Sequence, residues 1–97
     1  MLREFYLGFI KIHILHHATK EPIYGLWLIE ELGKHGYDIG PATVYPTLHS
    51  MEEEGFLECY PVTINGKIRK YYEATSKGKQ ALDRSKEKIR ELINEVL

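Results

Sequence analysis

Residues 41–74 read PATVYPTLHSMEEEGFLECYPVTINGKIRKYYEA, and two periodicities meet inside that stretch. From about Pro41 to Glu54 the apolar residues Val44, Leu48 and Met51 recur at i, i+4 and i+7, the spacing of one buried helical face. Gly55 ends that helix. Phe56 to Thr63 and Lys67 to Ala74 then flank Asn65-Gly66, a pair suited to the two positive φ angles of a type I′ hairpin turn. Counting outward from the turn sets Thr63 opposite Ile68, Cys59 opposite Tyr72 and Leu57 opposite Ala74. One face of the hairpin thus gathers Leu57, Cys59, Tyr72 and Ala74, suited to lie on helices. Pro61 has no N–H for a ladder and marks its strand as an edge or a bulge.

The outer side of helix 41–54 carries Ala42, Pro46, His49 and Glu53, flanked by Thr43 and Ser50, with Tyr45 near the boundary. It holds no lysine or arginine. Pro41 suits a first helical position. Pro46 admits two readings. If the helix starts at Pro41, Pro46 removes the bond to the Ala42 carbonyl; if Thr43 is the N-cap, Pro46 sits at the third position and loses nothing.

Working outward, Ile23 through His35 carries Ile23, Leu26, Trp27, Ile29 and Leu32 in helical register, with Gly36 as a left-handed cap. Lys20, Glu21 and Pro22 separate it from an N-terminal helix, LREFYLGFIKIHILHHA. There Leu2, Phe5, Tyr6, Leu7, Phe9, Ile10, Ile12, Ile14 and Leu15 cover more of the wheel than one stripe needs. One side is expected on its own domain and another on a partner. Downstream, Thr75 is a good N-cap for a helix reaching toward the C-terminus. Leu82, Ile89 and Val96 recur every seven residues, with Ser85 and Leu92 between and Ile93 widening the seam, a coiled-coil-like stripe.

Composition bounds what such a chain does. Ninety-seven residues make one small domain with a limited private core, for which pairing with a second copy is an economical way to bury apolar surface. A formal charge of −1 argues against a polybasic binder but leaves local patches open, and Lys67, Arg69 and Lys70 form the densest basic cluster outside the last helix, with Lys77 and Lys79 just beyond. The single Cys59 excludes an intramolecular disulfide and a multi-cysteine zinc site. The apolar N-terminal stretch is too short and too polar to span a bilayer, no secretory leader is evident, and the chain reads as cytoplasmic.

Three helices, a hairpin and a long helix describe a winged helix-turn-helix, mainly α with a small β-hairpin. The expected division is a DNA-binding unit over 1–74 and a dimerisation helix over 75–97. Helix 41–54 would enter the major groove while the 64–70 wing tracks the backbone of double-stranded DNA. The residues expected at DNA are Ala42, Thr43, Tyr45, Pro46, His49, Ser50, Lys67, Arg69 and Lys70. Strand alternation sends Arg69 and Lys70 to opposite faces of the hairpin. Those expected between two copies are Leu2, Phe5, Tyr6, Phe9, Leu82, Ile89, Leu92, Ile93 and Val96.

The segments IYGLWLIEEL (23–32), ATVYPTLHSMEEEGFLE (42–58) and RKYYEATSKGKQAL (69–82) also resemble the PadR-like transcriptional regulators, over nearly the whole chain. The resemblance implies a homodimeric winged-helix repressor whose N- and C-terminal helices form the dimer interface. It further implies a small-molecule signal of unspecified identity. Some relatives hold flat aromatic ligands at that interface; this chain has no Phe, Tyr or Trp from 75 to 97, leaving Trp27, Phe5, Tyr6 and Phe9 to supply aromatics. The competing reading is a winged-helix protein-interaction module that does not bind DNA. His13, His16 and His17 have the i, i+3, i+4 spacing of metal ligands, but no cysteine or carboxylate stands near them in sequence, and neither metal nor cofactor is assigned. No glycine-rich phosphate loop and no nucleophile motif is present, so no catalytic residue is assigned.

Overall fold

The computed structural model describes residues 2–97 and contains four helices and one hairpin: α1 (Leu2–Lys20), α2 (Gly25–Lys34), α3 (Pro41–Glu53), β1 (Leu57–Ile64), β2 (Lys67–Ala74) and α4 (Ser76–Val96). The two strands pair antiparallel in the expected register, Leu57 opposite Ala74, Cys59 opposite Tyr72 and Thr63 opposite Ile68. Asn65 and Gly66 take φ of 52° and 76°, as a type I′ turn requires.

Tyr72 exchanges two backbone hydrogen bonds with Ile23, at 2.9 and 2.7 Å. Its N–H therefore points away from β1, and by alternation the N–H position of Pro61 faces outward from the ladder too. The register runs through Pro61 without a bulge, so that proline marks an edge.

One core joins the helices to the inward face of the hairpin. Ile10, Ile14, Leu15 and Ala18 of α1, Leu28 and Leu32 of α2, Val44, Leu48 and Met51 of α3, Leu57, Tyr72 and Ala74 of the hairpin and Leu82 of α4 are all buried together with Ile23. Each fully covered aliphatic side chain contributes about 1.5 to 3 kcal/mol of transfer free energy. Leu26, expected on the buried side of α2, is instead 61% exposed, and Leu28 takes its place. Gly25, Leu28 and Leu32 share one helical face, and Leu26 lies about 200° around the axis from Leu28.

α1 is divided along its length rather than by face. Its buried residues, Ile10, Ile14, Leu15 and Ala18, begin midway along it, while the apolar Leu2, Phe5, Tyr6 and Phe9 before them are each about half exposed or more. Leu82 corrects a further expectation: it is 4% exposed and belongs to its own chain's core, so it is unavailable to a second copy.

Local chemistry fixes the joints. α2 ends in a Schellman arrangement, with Tyr37 N–H on the Leu32 carbonyl, Gly36 N–H on the Gly33 carbonyl and Gly36 at φ 86°. The Thr75 hydroxyl donates to the Gly55 carbonyl at 2.6 Å and accepts from the Gly78 N–H at 3.1 Å, so it caps α4 and pins it to the turn after α3. Lys77 Nζ donates to the Glu54 carbonyl at 2.6 Å. A Cβ at Gly78 would collide with the Phe56 carbonyl, which is why the helix can pass so close there. The run Thr75, Lys77, Gly78 is thus a clasp holding α4 to the α3–β1 junction.

Candidate nucleic-acid interface

The hairpin leans beside α3, and between them lies an open hollow. It is lined by Tyr24, Gly25 and Leu26 before and within α2, Tyr45 and His49 of α3, and Ile64, Asn65, Lys67, Ile68, Arg69, Lys70 and Tyr72 of the hairpin. No carboxylate is among these lining residues. Tyr72 forms its floor, 1% exposed; burial, with Cys59 alongside, pushes its phenol pKa up, so it stays neutral.

α3 starts at Pro41 with Gly40 as its N-cap, and no side chain caps it. That decides the reading of Pro46: it lies inside the helix and deletes the bond to the Ala42 carbonyl. The buried Thr47 hydroxyl, in the same turn, donates to the Thr43 carbonyl at 2.7 Å. Ala42 and Pro46 are exposed beside the hollow.

Tyr45 lies across Gly25. A Cβ at Gly25 would overlap the Tyr45 ring, and the hydroxyl is 2.8 Å from that position. The missing side chain therefore lets Tyr45 fold down against α2 while remaining 37% exposed. Tyr45 thus packs on α2 and still presents a face to solvent.

The structure brings Tyr45, His49, Lys67, Arg69 and Lys70 to one hollow. Thr43 and Ser50 depart from that group. Thr43 is half-buried and lines a different hollow, with Tyr6, Ile10 and Tyr37, on the α1 side. Ser50 Oγ is 3.4 Å from the carboxylate of Glu54, the C-cap of its own helix. Of the wing cations, Lys67 and Lys70 are exposed, whereas the Arg69 guanidinium is drawn back over the Tyr24 ring, 4.0 Å from its centroid. Tyr24 in turn meets the Tyr71 ring edge-on at 5.4 Å. Tyr24 and Leu26 were not foreseen here; Leu26 sits in an apolar helical run, and only the wheel position opposite Leu28 could have exposed it.

A second surface lies at the other end of the molecule. Phe5 and Phe9 of α1 and Leu92, Ile93 and Val96 of α4 are 47–62% exposed, and every residue of 90–97 is exposed. Ile89 is half-buried beside Ile12, where α1 and α4 pack.

The family model for the PadR-like transcriptional regulators matches residues 14–84, most of the chain. The chain belongs to the PadR-like family of transcriptional regulators. It is 42% identical over 96 residues to the transcriptional regulator Rv3488 of Mycobacterium tuberculosis, covering 99% of this chain and 90% of that one. Among solved structures it is similar to a PadR family regulator from Eggerthella lenta, with 30% identity, TM-score 0.86, and coverage of 99% and 85% of the two chains. It is also similar to a PadR-like regulator from Bacillus cereus, with 31% identity, TM-score 0.82, and coverage of 92% and 88%. These relatives bear out the winged-helix fold, and the regulatory role they share is not an enzymatic one. Among the described residues, no helix of this PadR-like chain is long and apolar enough to cross a membrane.

Proposed function

We propose that the chain is a sequence-specific DNA-binding repressor that acts as a homodimer. α3 enters the major groove with His49 and Tyr45 toward the bases or their flanking phosphates, and Lys67 and Lys70 of the wing hold the adjacent backbone. The observation that carries this reading is the hollow itself, in which a neutral polar helix face and three cations converge with no carboxylate among the lining residues. Arg69, stacked on Tyr24, stiffens the wing and adds positive charge to the hollow.

The dimer supplies the second half-site. Exposed apolar side chains concentrate on the first half of α1 and the last turns of α4, where a partner's equivalent helices would cover them. Residues 75–97 then serve twice: the first turns clasp the head, and the later ones join two heads. Thr43, Ala42, Pro46 and Ser50 shape the approach of α3 from its flanks.

The test is competition binding of the purified protein to DNA from its own upstream region against scrambled duplex at fixed salt. His49→Ala is expected to lower the operator-to-scrambled ratio by about 1 to 3 kcal/mol while leaving non-specific affinity and melting temperature unchanged. No preference for any upstream duplex, with an intact fold, would favour a docking module instead.

A further inference from the structure

The histidines that the sequence groups as 13, 16 and 17 are regrouped by the fold. His13, His17 and His35 have ligand nitrogens within 4.8 Å of one another. His35 arrives from the C-cap of α2. Glu31, one turn before it, completes the set: its Oε2 is 3.3 Å from His35 Nε2 and 3.8 Å from His17 Nε2. Two helices thus face each other, each offering an i, i+4 pair, His13 with His17 and Glu31 with His35. We propose that these four side chains form a site for one divalent transition-metal ion of the zinc class, joining α1 to α2.

The chemistry of the donors fits that ion. Three borderline imidazoles with one harder carboxylate make a donor set that zinc and its neighbours take, in a fourfold shell with ligand atoms about 3.3 Å apart. The His35–Glu31 edge already has that length. The widest separation among the histidines must close by about 1.5 Å, a motion within reach of small imidazole rotations.

A second observation points the same way. His17 Nε2 is a buried polar atom with no hydrogen-bond partner among the described residues, and the carboxylate facing it is too far to provide one. A metal ion would satisfy it. Lys34 approaches Glu31 at Oε1, 3.7 Å away, leaving Oε2 to the cluster. The α2 C-terminus adds a favourable dipole for a cation. Burial lowers the pKa of His13 and His17, so the neutral, ligating form prevails at pH 7. His16 meets the His17 ring edge-on at 4.9 Å but is not grouped with the three ligand nitrogens, and Lys20 and Lys86 are its charged neighbours, a poor setting for a cation.

Trp27, the sole tryptophan, meets the His17 ring edge-on at 5.2 Å and reports on the site. The experiment is titration of the untagged full chain with Co2+ in a non-chelating buffer, read by visible d–d absorption and Trp27 quenching, followed by displacement with Zn2+. Saturation at one ion per chain with the intense spectrum of four-coordinate cobalt is expected. His35→Ala and Glu31→Gln should each weaken binding about tenfold or more, with apo circular dichroism unchanged, since the His35 side chain is 46% exposed. His16→Ala should change nothing. Absence of saturable binding at millimolar Co2+, full affinity in His35→Ala, or loss of binding in His16→Ala in place of His35→Ala would each overturn the site. None of these readouts involves DNA, so the outcome is independent of the repressor reading.

Discussion

The two exposed ends of this small molecule differ in the way their side chains are held. At the wing end, Arg69 rests on Tyr24, Tyr45 lies across Gly25 and Tyr72 is locked to Ile23, so each large ring is supported and the cations stand beside the exposed Leu26 and Ile68. At the other end, Leu92, Ile93 and Val96 stand on exposed turns of α4, beyond the core that buries Leu82. A surface pre-organised by its own chain suits a rigid polar ligand such as duplex DNA. An apolar surface unsupported by its own chain suits a copy of itself, because that association covers the helix and its partner at once. On the proposed dimer, α4 is two structures in sequence: first turns that clasp the head and then exposed turns that form the seam.

The largest effect should come from the seam. Ile93→Asp with Val96→Asp places two charges where two apolar side chains are to be covered, and should weaken dimerisation by about 3 to 6 kcal/mol. Sedimentation should show folded monomers, because both positions are exposed in the single chain. A dimer that survives the pair would move the interface elsewhere.

The clasp should answer differently. Gly78→Ala drives a methyl into the Phe56 carbonyl, a backbone atom with little room to yield, and should cost about 2 to 3 kcal/mol of folding stability. Thermal unfolding measures it. An unchanged melting temperature would separate α4 from the head and erase the distinction between its halves.

The smallest effect tests support within the groove. Gly25→Ala pushes on the Tyr45 ring, which can swing outward, so stability should fall by only about 1 kcal/mol. Discrimination between operator and scrambled duplex should change more than stability does. If specificity is unmoved, the position of Tyr45 does not matter to recognition.

What could be read from sequence followed from short-range rules. Asn65-Gly66 fixes the turn, the turn fixes strand parity, and Leu57, Cys59, Tyr72 and Ala74 fix the inward face, so the hairpin register was legible. Gly36 and Thr75 announced helix ends by the conformations and hydrogen bonds they favour. Periodicity tells which side of a helix is apolar but not which chain covers it; Leu82 and Val96 share a stripe yet differ from buried to largely exposed. Arg69 was legible as a cation but not as a stacked one, because Tyr24 reaches it only through the Ile23–Tyr72 bridge. The same holds for His35, which joins His13 and His17 across two packed helices rather than along one. Pairings of this kind exist only after folding, and no local pattern records them.

The central claim, that the α3–wing surface engages the phosphate backbone, is tested most directly by the salt dependence of DNA affinity. For the wild-type protein, log K should fall steeply and linearly with log salt. Lys67→Ala with Lys70→Ala should flatten that slope by about 1.8 per chain, or about 3.6 for a dimer, on operator and random duplex alike. A slope unchanged by removing both exposed wing lysines would contradict the account and take the backbone contact away from this surface.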